Sequence, residues 1–309
     1  FGSSHFGSSK TSVCPRFLAF QCRLGSVVMV PITAWLLVGA FLVMVISNVL
    51  ANKKFFGGKD NKEISDAHPT YVSPDGFTFA IWGFIYLTEI ILVVAQMFPP
   101  EYVEAVLEGP SVIGLSVRQT LILAFIANAV WLPVFNNEYF WTAFGIMTIY
   151  LVFLLSAYVN LNSMTVPLVS YIEGVDFSAP LYTIGLAMNL SWIVVAWSLS
   201  VFFCGGLAGW NDEKDGSQVA GSVPAAVAVV LLVTILAGWR AIFWGDLAYA
   251  FVAAWALRGI YRMQTIPDKV RFPLSLMNEK LGLFAKYCSA AVCLAFLLGI
   301  IQVVTLYLA

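Results

Sequence analysis

Charge is scarce in this chain: of 309 residues only 11% are Asp, Glu, Lys or Arg, against roughly 25% in an ordinary soluble domain. The net charge is −1 and no basic stripe is present. A nucleic-acid partner is therefore excluded, because phosphate binding is driven by clustered Lys and Arg. Histidine is scarcer still. His5 and His68 both lie outside the apolar runs, which argues against haem, chlorophyll or a metal held by membrane histidines. The five cysteines, Cys14, Cys22, Cys204, Cys288 and Cys293, follow neither metal-ligand nor disulfide-framework spacing. We read them as small buried hydrophobes. No Ser-His-Asp, Cys-His or paired-carboxylate constellation falls within the apolar runs, so enzymatic activity is the least supported class. The sixth and seventh runs contain no internal Lys for a retinal Schiff base.

What the chain has instead is apolar surface, 60% of residues, more than one globular core can bury. A bilayer core of ~30 Å takes about 20 helical residues, and eight runs are read as spans. They are Val30–Leu50, Phe77–Met97, Val117–Phe135, Tyr139–Leu161, Ala179–Cys204, Val223–Phe243, a short Leu247–Met263 and Ala285–Leu308. They lack two-residue alternation and are too long for tilted strands, which excludes a membrane barrel. The reading is an all-α, multi-pass integral membrane bundle of about eight spans, in an organellar membrane or an endomembrane. Its broad apolar exterior leaves room for a homodimer or for a place in a larger complex.

Residues 1–9 read FGSSHFGSS, a tandem repeat resembling translated spliced-leader RNA. Residues 1–28 are then expected not to be native, with Met29 as the start. The alternative is a Ser-rich transit segment with Ser12, Arg16 and Arg23. Counting Lys and Arg on the two sides sets the orientation. Lys53, Lys54, Lys59, Lys62, Lys214, Arg258, Arg262, Lys269, Arg271, Lys280 and Lys286 share one side, against Arg118 and Arg240 on the other. The first loop and the 258–286 region are expected to face the cytosol or its organellar equivalent. The 258–286 region reads as a positive-inside anchor with some anionic-lipid contact.

Glu89 is the one carboxylate deep within a span. At ~1.5 Å per residue it lies about 12 Å from the less basic side, Asn128 about 16 Å and Asn189 about 15 Å, so the three are expected in one layer. Trp82, Tyr86, Glu89, Val93 and Gln96 repeat at helical spacing and should point into the bundle, since polar groups facing lipid are costly. Two readings stand side by side: a ligand cavity with aromatic walls and polar orienting groups, or amides serving as interhelical hydrogen-bond glue with Glu89 protonated against one of them. Arg118 is expected to be a snorkelling interface anchor. Trp35, Trp141, Trp197, Trp210, Trp239 and Trp244 are expected in lipid-facing or interfacial positions.

Three motifs are more specific. Trp82 and Tyr86 stand in FTFAIWGFIYL as Trp-x-x-x-Tyr. Asn128, Trp131, Pro133 and Phe135 stand as N-x-x-W-x-P-x-F, and span five opens Pro180-Leu181-Tyr182 and carries Asn189. These resemble the helix signatures of the tryptophan-rich sensory protein/translocator protein (TspO/MBR) family. Departures are Gly76 where the family usually has Trp and Ala80 where it has Pro. The resemblance implies a five-helix core over residues 29–204, followed by a three-helix extension over 205–309. The Asp246–Ile260 stretch is similar to the tail of larger relatives. It further implies a flat apolar ligand, a porphyrin or haem-like tetrapyrrole or a sterol, against Trp82, Tyr86, Glu89, Asn128, Trp131, Phe135 and Asn189. The competing reading is a proton-coupled transporter of a small solute acting through Glu89.

Overall fold

The computed structural model describes residues 30–162, 179–266 and 272–308. The leader segment, Cys14, Cys22, Lys269 and Arg271 lie outside them. Residues Ile32–Ala309 pack as one unit. Its elements are α1 (Ile32–Asn52), α2 (Asn61–Ala67), a 3-10 turn (Gly76–Ala80) running into α3 (Ile81–Ala95), α4 (Glu101–Glu108), α5 (Val117–Asn136), α6 (Phe140–Asn162) and α7 (Ala179–Leu207). A hairpin of β1 (Asn211–Lys214) and β2 (Ser217–Ala220) follows, then α8 (Val223–Trp244), α9 (Leu247–Thr265), a 3-10 turn (Leu274–Leu276) and α10 (Glu279–Leu308).

Local chemistry sets several boundaries. Ser116 and Gln119 form a reciprocal capping box that starts α5. Asp60 and Glu63 do the same for α2. Pro224 opens α8, and Gly245, in the left-handed conformation, closes it. Asp246 caps α9 by accepting the Tyr249 amide at 3.0 Å.

Among the described residues, seven helices are long and apolar enough to cross a membrane. The seventh expected span, α9, has the length but not the hydropathy, because Arg258 and Arg262 lie in it. It nevertheless runs the full depth of the bundle. At its start Asp246 pairs with Arg240 at the end of α8, and near its end Arg262 pairs with Asp75 at 3.0 Å, at the start of span two. It packs against α7, α8 and α10. A helix covered on several faces needs less apolar surface than one facing lipid.

The contacts also assign every helix end. Asn136 meets the α1 C-terminus, Cys204 donates to the Phe140 carbonyl, and Asn278 donates its amide to Gln264. These ends share one side with the Lys53–Lys59 loop and the hairpin, and we call it the basic end. At the other end lie Arg118 and Arg240 among the described residues.

Without water to drive helices together, membrane bundles rely on close backbone approach at small residues. Gly185 of α7 is such a point: a Cβ there would lie 2.7 Å from the Glu89 nitrogen and the Thr88 carbonyl carbon of α3. Gly259 of α9 is another, where a Cβ would meet Thr78 at 2.3 Å and Pro74 at 2.8 Å. Its carbonyl accepts the Asp75 amide at 3.1 Å.

Three expectations are corrected. Arg118 does not snorkel but is fully buried, for reasons given below. Trp197 is half-buried and donates to Thr148 at 3.0 Å, unlike the exposed Trp35, Trp141 and Trp239. Cys204 and Cys288 are buried, but Cys293 is exposed: among the described residues its helix, α10, packs mainly on α8 and α9 and leaves that face to lipid.

Candidate functional site: an aromatic pocket above a buried polar layer

Each of the first five spans contributes one polar side chain to a layer near mid-depth. Asn189 of α7 donates to Glu89 Oε1 of α3 at 2.5 Å and accepts from the Tyr150 hydroxyl of α6 at 2.9 Å. Asn48 of α1 donates to Asn128 Oδ1 of α5 at 2.8 Å, and Asn128 also faces Tyr150. All five are buried. Glu89, Asn128 and Asn189 therefore share a layer, as the helical count anticipates. Asn48 and Tyr150 complete it. The layer is not fully satisfied: Glu89 Oε2, Asn128 Nδ2 and, a turn away, the Tyr86 hydroxyl are buried without partners. A partnerless buried polar atom costs ~1–3 kcal/mol.

The aromatic residues lie closer to the basic end. Trp82 stacks on Tyr86 with centroids 5.4 Å apart, and Trp131 stacks on Phe135 at 4.9 Å. Trp192 stands edge-on to Trp82 at 6.3 Å and to Phe79 at 6.1 Å. Trp82, Trp131, Phe135, Trp192, Phe79 and Phe203 wall a partly enclosed lobe of about 40 Å³. Asn61 and Ser65 of α2 also line it, and Asn61 Oδ1, Ser65 Oγ and Trp131 Nε1 have no partners. A second lobe of about 300 Å³, lined by Asn48, Asn52, Asp60, Asn61, Trp82 and Tyr86, adjoins it and is open to the outside. Asn61, Phe79 and Trp82 border both lobes.

The expected single hollow is thus divided. Trp82, Tyr86, Trp131 and Phe135 line pocket space, whereas Glu89, Asn128 and Asn189 close on one another below it. The physical reason is that amides and a carboxyl gain hydrogen bonds by meeting, while rigid rings pack with gaps. Asn48 joins the two parts, lining the open lobe and bonding Asn128. Trp192, Phe79 and Phe203 were not singled out from sequence, because an aromatic in an apolar run reads as ordinary packing.

The two ends of the bundle differ. At the less basic end Arg118 is fully buried and held by five hydrogen bonds. Two go to Gln96, to its side chain at 3.0 Å and its carbonyl at 2.9 Å; two go to the Glu104 carboxylate at 2.7 and 2.8 Å, and one goes to Glu108 at 2.6 Å. Glu108 also accepts from Thr33 at 2.8 Å. Helix α4 is thereby clamped across that end.

At the basic end the loop carrying α2 lies over the pocket. Glu138 holds it, accepting from Lys59 at 2.7 Å and contacting His68 Nε2 at 3.0 Å. The hydrogen bond from Lys59, then that from His68, holds the Glu138 carboxyl below its ordinary 4.5. A depressed carboxylate stabilises the folded arrangement fully above its ordinary value, and that contribution is lost as pH falls through the depressed one. Protection of the amides of residues 59–68 against hydrogen exchange, taken relative to the intrinsic rate at each pH, should therefore fall on acidification below the ordinary carboxylate range. Glu138→Gln should show the lower protection already at neutral pH. Equal protection in both proteins at pH 7 would contradict this role.

Searches among curated proteins and among solved structures returned no match to this chain. A family match does exist, to "TSPO-like protein", over residues 34–301. It includes α8, α9 and most of α10, beyond the Val30–Cys204 stretch to which the motif resemblance was carried. With seven helices among the described residues apolar enough to cross a bilayer, an eighth threading the same depth, and the tryptophans of the Trp-x-x-x-Tyr and N-x-x-W-x-P-x-F motifs bordering one lobe, the chain is a multi-pass membrane protein that belongs to the TSPO-like family.

Proposed function

We propose that the protein binds a flat, mostly apolar ligand, a tetrapyrrole or a sterol, in the pocket among its first five spans, entering from the basic end. We take that end to face the cytosol or its organellar equivalent. The observation that carries this is the pair of ring stacks, Trp82 on Tyr86 and Trp131 on Phe135, bordering adjoining lobes. Stacked rings present wide flat faces suited to a planar partner. The partnerless Trp131 Nε1, Asn61 Oδ1 and Tyr86 hydroxyl would orient its polar edge. The open lobe is at the small end of ordinary ligand pockets. A ring the size of a porphyrin needs Trp82 to swing aside and merge the lobes.

The test is an absorbance titration of purified protein with protoporphyrin IX. We expect one saturable site, weakened about tenfold by Trp192→Ala, a loss of about 1.4 kcal/mol. Absence of saturable binding of both protoporphyrin and cholesterol would end this reading.

A second reading, transport of a small solute coupled to protons, is favoured by the single unpartnered oxygen of buried Glu89. It requires that uptake into proteoliposomes respond to a pH gradient and that Glu89→Gln abolish the response. The binding reading does not require Glu89 to ionise.

A further inference from the structure

Away from the pocket, α9 and α10 form a groove of about 410 Å³ on the outside of the bundle. Phe251 and Trp255 of α9 line it on one side, and Ala290 and Cys293 of α10 on the other. At one end stand Arg258 and Lys286, both exposed. Each is drawn over the same ring, Arg258 at 4.7 Å and Lys286 at 5.5 Å from the Tyr261 centroid. Among the described residues neither forms an ion pair; the nearby Asp75 carboxylate pairs with Arg262 instead. Two cations brought to one aromatic ring without a carboxylate between them repel, and an anion seated there would relieve this.

The apolar part runs in one direction from the cations. Arg258 to Phe251 and Lys286 to Cys293 are each seven residues, about 10 Å of helix, and both lead away from the basic end toward mid-depth. The remaining polar group in the groove, Ser289 Oγ, is turned onto the Ala254 carbonyl at 3.0 Å. Small side chains at 254, 290 and 293 leave the furrow open. The arrangement is a charged head site joined to an apolar channel at the depth where lipid headgroups give way to chains.

We propose that this groove is a binding site for an anionic phospholipid of the leaflet at the basic end. The headgroup phosphate is held by Arg258 and Lys286, and one acyl chain lies along Phe251, Trp255, Ala290 and Cys293. Basic pockets between membrane helices recognise lipid headgroups in this way, and the site is independent of the ligand pocket.

Native mass spectrometry of the detergent-purified full chain tests it, with phosphatidylserine and phosphatidylcholine of identical chains as probes. We expect one retained phosphatidylserine, preferred about tenfold over phosphatidylcholine. Arg258→Gln with Lys286→Gln should bring the preference to within about twofold. Lys53→Gln with Lys280→Gln, which removes the same charge from exposed positions at the same end, should leave it intact. Ala290→Trp, which fills the channel and keeps both cations, should expel the lipid. Equal retention of the two lipids by the unaltered protein would overturn the proposal. So would a control pair as damaging as the site pair, or competition by soluble glycerophosphoserine as effective as by the intact lipid.

Discussion

Replacing both Glu104 and Glu108 by Gln should destabilise the protein by ~3–5 kcal/mol, far more than replacing Arg118 by Met. Arg118 is fully buried, whereas the glutamates are 35% and 40% exposed. Removing the acids leaves a guanidinium with no counter-charge and no route to water. Gln96 gives it neutral acceptors only. Removing the arginine instead leaves two carboxylates that can turn to solvent, and Met fills most of the vacated volume. The triple variant, with Met at 118 and Gln at 104 and 108, should recover most of the loss, because a buried ion pair exchanged whole for neutral groups is often close to neutral. Thermal unfolding in detergent reads all three. If Arg118→Met proved the most damaging of the set, the account of this end as a desolvated charge clamp would be wrong.

Gly185→Leu should be the most damaging single glycine replacement in the membrane helices. The atoms a side chain would meet, at 2.7 to 2.9 Å, are all backbone of Thr88 and Glu89, so no rotamer change can relieve the clash and α7 must move off α3. Overpacking of this kind costs ~1–3 kcal/mol or more. Asn189 lies one turn further along α7, so the same displacement breaks its hydrogen bond to Glu89. Ligand affinity should therefore fall together with stability. Gly39→Leu, Gly83→Leu and Gly145→Leu are the matched controls: nothing lies within 4 Å of a Cβ at those positions, and unfolding should change by no more than ~1 kcal/mol. A Gly185→Leu protein indistinguishable from these controls would show that α3 and α7 are not pressed together as described.

Much of this architecture is legible in the sequence, because a bilayer imposes one strong rule: about 20 apolar residues per crossing. The same rule nearly fails for α9, whose arginines lower its hydropathy. Its length and the breaks at Gly245-Asp246 and Pro267 still mark it. What the residues do not declare is pairing at a distance. Glu101, Glu104 and Glu108 stand at helical spacing before Arg118, yet nothing local says that the arginine reaches back to two of them rather than out to water. Glu89 and the two signature asparagines are conspicuous as polar groups in apolar runs. Tyr150 is not, since tyrosine is common in membrane helices as packing or as an interfacial anchor. The division of the site into an aromatic pocket and a closed polar layer depends on which groups can satisfy one another, and that is decided by helix packing rather than by helical period.

The central claim, that ligand is held by rings turned into the bundle rather than by aromatic surface in general, is tested most directly by two matched double variants. Trp82→Ala with Trp131→Ala removes two of the ten tryptophans from the pocket, and Trp141→Ala with Trp239→Ala removes two from the exposed face. In protoporphyrin titrations of folded protein, the first pair should weaken binding by a factor of ten or more, while the second should stay within about twofold of the unaltered protein. Equal weakening by both pairs, or by neither, would contradict the account.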